Sequence, residues 1–386
     1  MTVFTYNTTP SVLCGPGTIA QLGAKARALG IDRVLIVTDS GIVKAGLLEP
    51  ALKSLQEADI AVTTYDGVLA DPEERLVLAA TEQAVKANIN GVIGLGGGSS
   101  MDVAKLVALL ALGQEKIGDV YGVGMVKGKR LPLIQIPTTA GTGSEVTPIA
   151  IITVGEGEKK GVVSPQLLPD LALLDADLTL SVPPHVTAAT GVDAMVHAIE
   201  SYTSINANNN PVSKALACEA LRLLGANIRE AVHNGSNKIA RSNMLLGAML
   251  AGQAFANSPV AAVHALAYPL GGLFHVSHGL SNALVLPEVM RFNAPVCFQG
   301  YAEIAPLAFP ELASVADSRH RAEQFIEQLA ALSLDLGLPP RLRDVKIPED
   351  ALTRMAADAM KQTRLLVNNP RPVSEADALA IYRAVY

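Results

Sequence analysis

The sequence predicts an α/β domain with a parallel sheet over residues 1–180, followed by an all-helical domain over residues 181–386. Three observations carry this. Short β-branched runs alternate with helical stretches through the first half, the pattern of parallel strands joined by crossover helices. Two glycine-rich loops stand at the ends of such runs. Beyond about Pro183 the β-branched runs give way to long Ala/Leu-rich segments, which read as helices.

In chain order, Arg33–Thr38 is a strand that ends in Asp39-Ser40-Gly41, and Ile60–Tyr65 is a second. Glu73–Ala87 is a helix, and Gly91–Leu95 is a strand that runs into Gly96-Gly97-Gly98-Ser99-Ser100. Pro132–Ile136 is the next strand and runs into Pro137-Thr138-Thr139-Ala140-Gly141-Thr142-Gly143-Ser144-Glu145. The later segments Pro211–Val232, Ala240–Phe255 and Ser318–Leu336 are helices, with the polar stretch Asn206–Asn210 as a turn before the first.

Composition narrows the class of function. A chain of 386 residues, 49% apolar and 17% charged, holds two domains and a large core rather than a disordered or fibrous chain. The net charge of −6 offers no basic stripe for nucleic acid. No apolar run reaches the roughly 18 residues of a membrane span. The first residues lack the basic and apolar regions of a secretion signal, and Cys14, Cys218 and Cys297 form no CxxC pair, so a reducing cytoplasmic setting is expected. Small buried packing is the expected role of the three cysteines.

The glycine loops point to phosphate. Glycines at the carboxyl end of a strand let backbone N–H groups approach an anion, and the helix that follows adds its N-terminal dipole. The spacing is neither Gly-x-Gly-x-x-Gly nor a Walker loop, and a plain turn capped by Ser99 or Ser100 is the competing reading. Two such loops on one parallel sheet favour a dinucleotide at its carboxyl edge. Asp39, at a strand end, can accept hydrogen bonds from ribose hydroxyls and repel a 2′-phosphate, which favours NAD over NADP.

A second constellation points to metal. Asp193 and His197 are four residues apart and share one helix face. His264 and Tyr268 repeat that spacing, and His278 opens a glycine-containing turn, His278–Asn282. One carboxylate and three imidazoles form an N/O set suited to Fe(II) or Zn(II).

Together these segments resemble the iron-containing (group III) alcohol dehydrogenases. The resemblance rests on Gly96–Ser99 with Asp102 and Lys105, on Pro137–Thr147, and on Gly191–Ala194 with His197–Glu200. It continues through His264-Ala265, Pro269–Gly271, His278-Gly279, Asn282-Ala283 and Asn369–Arg371. It implies a dehydroquinate-synthase-like fold and an oxidoreductase that interconverts a small alcohol or hydroxyacid with its aldehyde or ketone. It implies a divalent metal, commonly Fe(II) and sometimes Zn(II), on Asp193, His197, His264 and His278. Cofactor contacts would fall on Asp39, Gly97, Gly98, Ser99, Thr138, Thr139, Thr142 and Ser144, and on Lys159 or Lys160 of a hairpin-like stretch, with Lys159 favoured. A homodimer or larger homo-oligomer is also implied.

Tyr268 stands where many relatives carry histidine. It is a poorer proton shuttle near pH 7 but a good hydrogen-bond donor. Tyrosine there is similar to the hydroxyacid–oxoacid transhydrogenase and 4-hydroxybutyrate branches. His275 is a candidate for the proton path or an outlying residue. Asp71 stands where relatives often have asparagine and is assigned no role. A dehydroquinate-synthase-like lyase is a further alternative, disfavoured by the scarcity of Lys and Arg in the ligand-bearing segments. A non-catalytic NAD-binding protein would leave the ligand cluster buried to no purpose.

Overall fold

The β-branched runs of the first half form one six-stranded parallel sheet in the computed structural model, which describes residues 3–155 and 158–386. The strands are β1 (Ser11–Cys14), β2 (Arg33–Val37), β3 (Ala61–Tyr65), β4 (Gly91–Gly96), β5 (Gly122–Val123), β6 (Leu133–Pro137), β7 (Ile149–Val154), β8 (Glu158–Val163) and β9 (Leu171–Leu174). The large sheet has the order β1-β9-β6-β4-β2-β3, so β4 and β6 lie side by side at its centre. Each sequence-predicted strand falls within about a residue of its observed limits.

Alternation along these strands loads both faces. Leu35, Val37, Val92 and Leu133 join one apolar core, while Val34, Ile36, Ile93, Leu95, Ile134 and Ile136 join another. A parallel sheet buried on both faces requires near-continuous apolar strands, and β4 and β6 are buried throughout. The helices between them are α1 (Leu22–Ala28), α2 (Ser40–Lys44), α3 (Glu49–Glu57), α4 (Glu74–Lys86), α5 (Gly98–Leu110) and α6 (Ile117–Val120). In a smaller sheet, β7 and β8 pair antiparallel as the expected hairpin, and β5 runs parallel to β8.

The chain divides into two compact units at Val182/Pro183. Among the described residues the second contains helices and no strand: α7 (Pro184–Thr203), α8 (Pro211–His233), α9 (Lys238–Asn257), α10 (Ala262–Phe274), α11 (His278–Ala308), α12 (Ser318–Asp335), α13 (Leu352–Ala359), α14 (Thr363–Leu366) and α15 (Glu375–Ala384). The N-terminal segment up to Tyr6 belongs with this helical unit. Reciprocal hydrogen bonds fasten it there: Thr5 N donates to Asn208 Oδ1 at 2.8 Å, and Asn208 Nδ2 donates to Thr5 O at 2.9 Å.

The cysteine expectation needs correction. Only Cys297 is buried; Cys14 is exposed on the edge strand β1 and Cys218 is half-buried. An edge strand has one uncovered side, so residues on it need not reach the core. No helix among the described residues is long and apolar enough to cross a membrane.

Candidate metal centre and anion cradle

In the helical unit three helices converge on Asp193. Asp193 and His197 lie one turn apart on α7, His264 lies in the first turn of α10, and His278 is the first residue of α11. Asp193 Oδ1 is 3.9 Å from His197 Nε2, 3.9 Å from His264 Nε2 and 3.8 Å from His278 Nε2. One donor atom from each of the four lies within 4.8 Å of all the others. Asp193, His197 and His264 are buried, while the His278 side chain is 41% exposed, so the cluster opens on that side.

The expected turn at His278 is a correction: the residue begins a helix of 31 residues. Gly279 serves close approach rather than chain reversal. A Cβ there would lie 2.5 Å from the Ala189 carbonyl oxygen of α7, so only glycine lets the first turn of α11 press against α7.

Two residues quoted only as motif members turn out to hold the cluster. Glu200 continues the Asp193–His197 stripe of α7, and its Oε1 accepts from Val263 N at 2.7 Å. Its Oε2 lies 2.7 Å from His264 Nδ1. A carboxylate can only accept, so Nδ1 carries the proton and Nε2 keeps its lone pair toward the cluster. Asn282 Nδ2 donates to Asp193 Oδ1 at 2.6 Å and lies 3.3 and 3.2 Å from the Nε2 atoms of His264 and His278. Phe255 stacks on His197 with 4.4 Å between ring centroids and covers that flank.

Burial pushes the Asp193 carboxyl up, but the three imidazoles and the Asn282 amide outweigh it and hold it below its ordinary value. The donor set fits a divalent ion in kind: one carboxylate and three imidazoles converge, with Asp193 Oδ1 3.8–3.9 Å from each imidazole nitrogen and all four donors within 4.8 Å of one another. Asn282 Oδ1 is buried with no hydrogen-bond partner, and a half-turn of the amide would direct it toward a cation.

In the α/β unit the loop after β4 enters α5 with Gly97 as N-cap and no side-chain cap. The competing reading of Ser99 or Ser100 as N-cap is therefore corrected; both lie within the first turn. The leading N–H groups of α5 have no side-chain partner of the capping kind, the arrangement that receives an anion. Gly96 has φ +150°, and a Cβ there would meet Ser100 Oγ at 2.8 Å. The loop after β6 lies alongside: Thr138 N donates to Gly96 O at 3.0 Å, and a Cβ on Gly98 would lie 2.9 Å from Thr142 Cγ2. On Gly97 a Cβ would meet only Thr139 Oγ1, at 3.8 Å, so backbone is open to a ligand there.

Asp39 caps α2. Its Oδ1 accepts from Gly41 N at 2.8 Å and Ile42 N at 3.1 Å, which leaves Oδ2 facing Ser100 Oγ at 3.4 Å. Ser144 is differently occupied. Its hydroxyl donates to Asp102 Oδ1 at 2.6 Å and accepts from Lys105 Nζ at 2.8 Å. Lys105 Nζ also donates to Thr147 Oγ1 at 3.1 Å and Ile149 O at 2.6 Å, and Asp102 Oδ2 accepts from Ile151 N at 2.9 Å. Three acceptors match the three protons of an ammonium group. Full burial nonetheless pulls Lys105 down to about 8 and pushes Asp102 up, and it raises the neighbouring Glu145 to about 7. What Ser144 contributes to the cradle is the fastening of its loop to α5 and β7.

Lys159 Nζ pairs with Asp71 Oδ1 at 2.5 Å and donates to Thr153 Oγ1 at 2.9 Å. Asp71, left without a role on sequence grounds, sits at φ +54° in the turn before α4. Lys160 instead pairs with Glu158 at 3.7 Å and lies over the Tyr121 ring. Tyr268 lies beside the metal cluster, its ring centroid 6.3 Å from that of His278, and its hydroxyl accepts from Arg364 Nη2 at 3.0 Å. No signal in the sequence linked Arg364 to this place. His275 is exposed, ends α10 in a left-handed conformation at φ +56°, and does not join the cluster.

The likeness to known proteins covers both units. A family model described as iron-containing alcohol dehydrogenase matches residues 9–176, and one described as the C-terminal part of the same family matches residues 187–386. Long-chain-alcohol dehydrogenase 1 of Geobacillus thermodenitrificans is 42% identical over 375 residues, with 96% of this chain and 94% of that protein covered. A crystal structure of 1,3-propanediol oxidoreductase covers 100% of both chains at 35% identity, with a TM-score of 0.95. That of sulfoacetaldehyde reductase from Bifidobacterium kashiwanohense in complex with NAD+ covers 100% of this chain and 99% of its own at 28% identity, with a TM-score of 0.87. Matched across both halves in this way, the chain belongs to the iron-containing alcohol dehydrogenase family.

Proposed function

We propose that this oxidoreductase is an NAD-dependent, divalent-metal-dependent alcohol dehydrogenase that interconverts a small alcohol or hydroxyacid with its aldehyde or ketone. The observation that carries the reading is the cluster of Asp193, His197, His264 and His278, buried on three sides and open at His278. In this reading the α/β unit holds the cofactor and the helical unit holds metal and substrate. NAD binding is supported by the uncapped glycine entry to α5, by Asp39 at the adjacent strand end, and by the NAD+ complex of the related sulfoacetaldehyde reductase.

Fe(II) or Zn(II) held by Asp193, His197, His264 and His278 would supply Lewis acidity to an alcohol oxygen near neutral pH, and a nicotinamide held by the α/β unit would supply the hydride acceptor. The protein supplies the rest. Glu200 holds His264 in the tautomer that presents Nε2, and Phe255 keeps water from His197. Gly97, Gly98, Ser99, Thr138, Thr139 and Thr142 line the pyrophosphate cradle, which Ser144 braces, and Lys159 adds a cation. Tyr268 is a hydroxyl donor beside the exposed ligand His278, and the exposed His275 is the candidate proton exit to solvent. A cytoplasmic homo-oligomer completes the proposal.

The test is anaerobic turnover of metal-stripped protein reloaded with Fe(II) or Zn(II). NAD is offered with short alcohols, diols and ω-hydroxyacids while NADH is read. Metal-restored NADH formation is the expected result. Silence across the panel with NAD still bound would replace this reading with hydroxyacid–oxoacid transhydrogenation, in which NADH is never released.

A further inference from the structure

We propose that Arg364 is the anchor for an acidic tail on the substrate, which makes the preferred alcohol a short ω-hydroxyacid. The inference rests on the dehydrogenase reading for the place of the reacting carbon, and on the structure alone for the anion site.

Arg364 lies on α14, half-buried, and its backbone is fixed. Asn368 Nδ2 donates both to Arg364 O and to Val260 O at 3.0 Å, which ties this segment to the residues just before α10. The guanidinium therefore faces α10. Its carbon is 6.0 Å from the centre of the Tyr268 ring, which is 6.3 Å from the ring of His278, the exposed member of the cluster.

The guanidinium makes one hydrogen bond, to the Tyr268 hydroxyl, and among the described residues no carboxylate lies within ion-pair distance of it. The contrast with Arg371 is informative. That side chain lies flat on Phe292 at 4.0 Å and donates to the Phe292 carbonyl oxygen, as a structural arginine does. Arg364 has a hydroxyl dipole as its partner and four N–H groups to spare. A half-buried guanidinium without a counter-charge is open to an anion, and its planar fork matches a carboxylate or sulfonate bidentately. Helices α7 and α10 contain no Lys or Arg of their own, and Arg364 is the cation that the fold sets against Tyr268, beside His278. The substrate completes the pair with its acidic end and places its hydroxyl at the metal cluster.

Two readouts separate this inference from the reading beneath it. In Fe(II)-loaded protein with NAD, kcat/KM is measured for 4-hydroxybutanoate and for butan-1-ol. The hydroxyacid is expected to win by about tenfold or more, and Arg364→Gln to reduce that ratio about tenfold, through KM. Independently of turnover, calorimetry follows binding of butanoate to the metal-loaded protein, with Arg364→Gln weakening it about tenfold. Equal handling of the two alcohols overturns the inference, as does a ratio that Arg364→Gln leaves in place. If neither alcohol turns over, the dehydrogenase reading falls. Butanoate binding that is lost in Arg364→Gln would still uphold the anion site, and no butanoate binding at millimolar concentration would remove it.

Discussion

The metal cluster draws its ligands from three helices and buries most of their charge. The glycine cradle draws its contacts from two contiguous loops and leaves backbone open to solvent. In the helical unit key polar atoms are held by partners remote in sequence: Glu200 for His264, Asn282 for Asp193. In the α/β unit the groups left open are main-chain N–H groups at the entry to α5, and side chains act as braces, as Lys105, Asp102 and Ser144 do. The metal centre is thus a property of helix packing, whereas the cradle is a property of a strand end. Damage to one should leave the other intact.

The largest expected effect tests that independence. His264→Ala removes one of four ligands and should abolish metal retention and turnover, a loss of about a thousandfold or more, with NAD affinity kept. Glu200→Gln keeps the ligand but offers it a neutral amide, and should weaken metal binding by about ten- to a hundredfold. Metal content by elemental analysis and NAD binding by calorimetry read the two sites separately. A parallel fall in NAD affinity would break the comparison.

A smaller effect probes the brace. Glu145 is fully buried with its carboxyl raised to about 7, so the folded chain takes up a proton that the unfolded chain releases near 4.5. The stability this contributes is present in full below about 4.5 and is lost as pH rises through about 7. At most it amounts to about 3 kcal/mol. Urea midpoints between pH 5 and 8 should fall with pH by this contribution, and Glu145→Gln should flatten that part of the slope. An unchanged slope in the variant would remove Glu145 from the account.

The smallest effect sharpens the cofactor side. Asp39→Gly should relax discrimination against NADP by about tenfold, since a carboxylate that repels a 2′-phosphate and bonds the ribose is gone. The same variant loses the cap of α2, at a cost of about 1 kcal/mol. Asp39→Asn keeps a capping oxygen and so separates the two roles. If the NAD/NADP ratio stays where it was in both variants, Asp39 is a cap alone.

How much of this was legible in the sequence follows from the same contrast. The strands were legible because each is an apolar run closed by a turn, and the cradle because its glycines are contiguous with a strand. The pairs Asp193/His197 and His264/Tyr268 were legible because helical periodicity relates their members. His278 was misread as a turn because glycine marks turns by default, and only the approach of Ala189 shows that Gly279 serves packing. Arg364 and Asp71 were not legible, because each acts on a partner that the sequence does not place beside it.

By itself, then, the sequence determined the strands, the two-part order of the chain and the side chains that gather in the Asp193 cluster. Those depend on periodicity and on residue chemistry, both local. The tertiary structure decided which imidazole nitrogen of His264 faces the cluster, which loop hydroxyls are tied up as braces, and which cation stands beside the cluster. Hydrogen bonds and desolvation act over a few ångströms of space, and only folding brings α7, α10, α11 and α14 within that range.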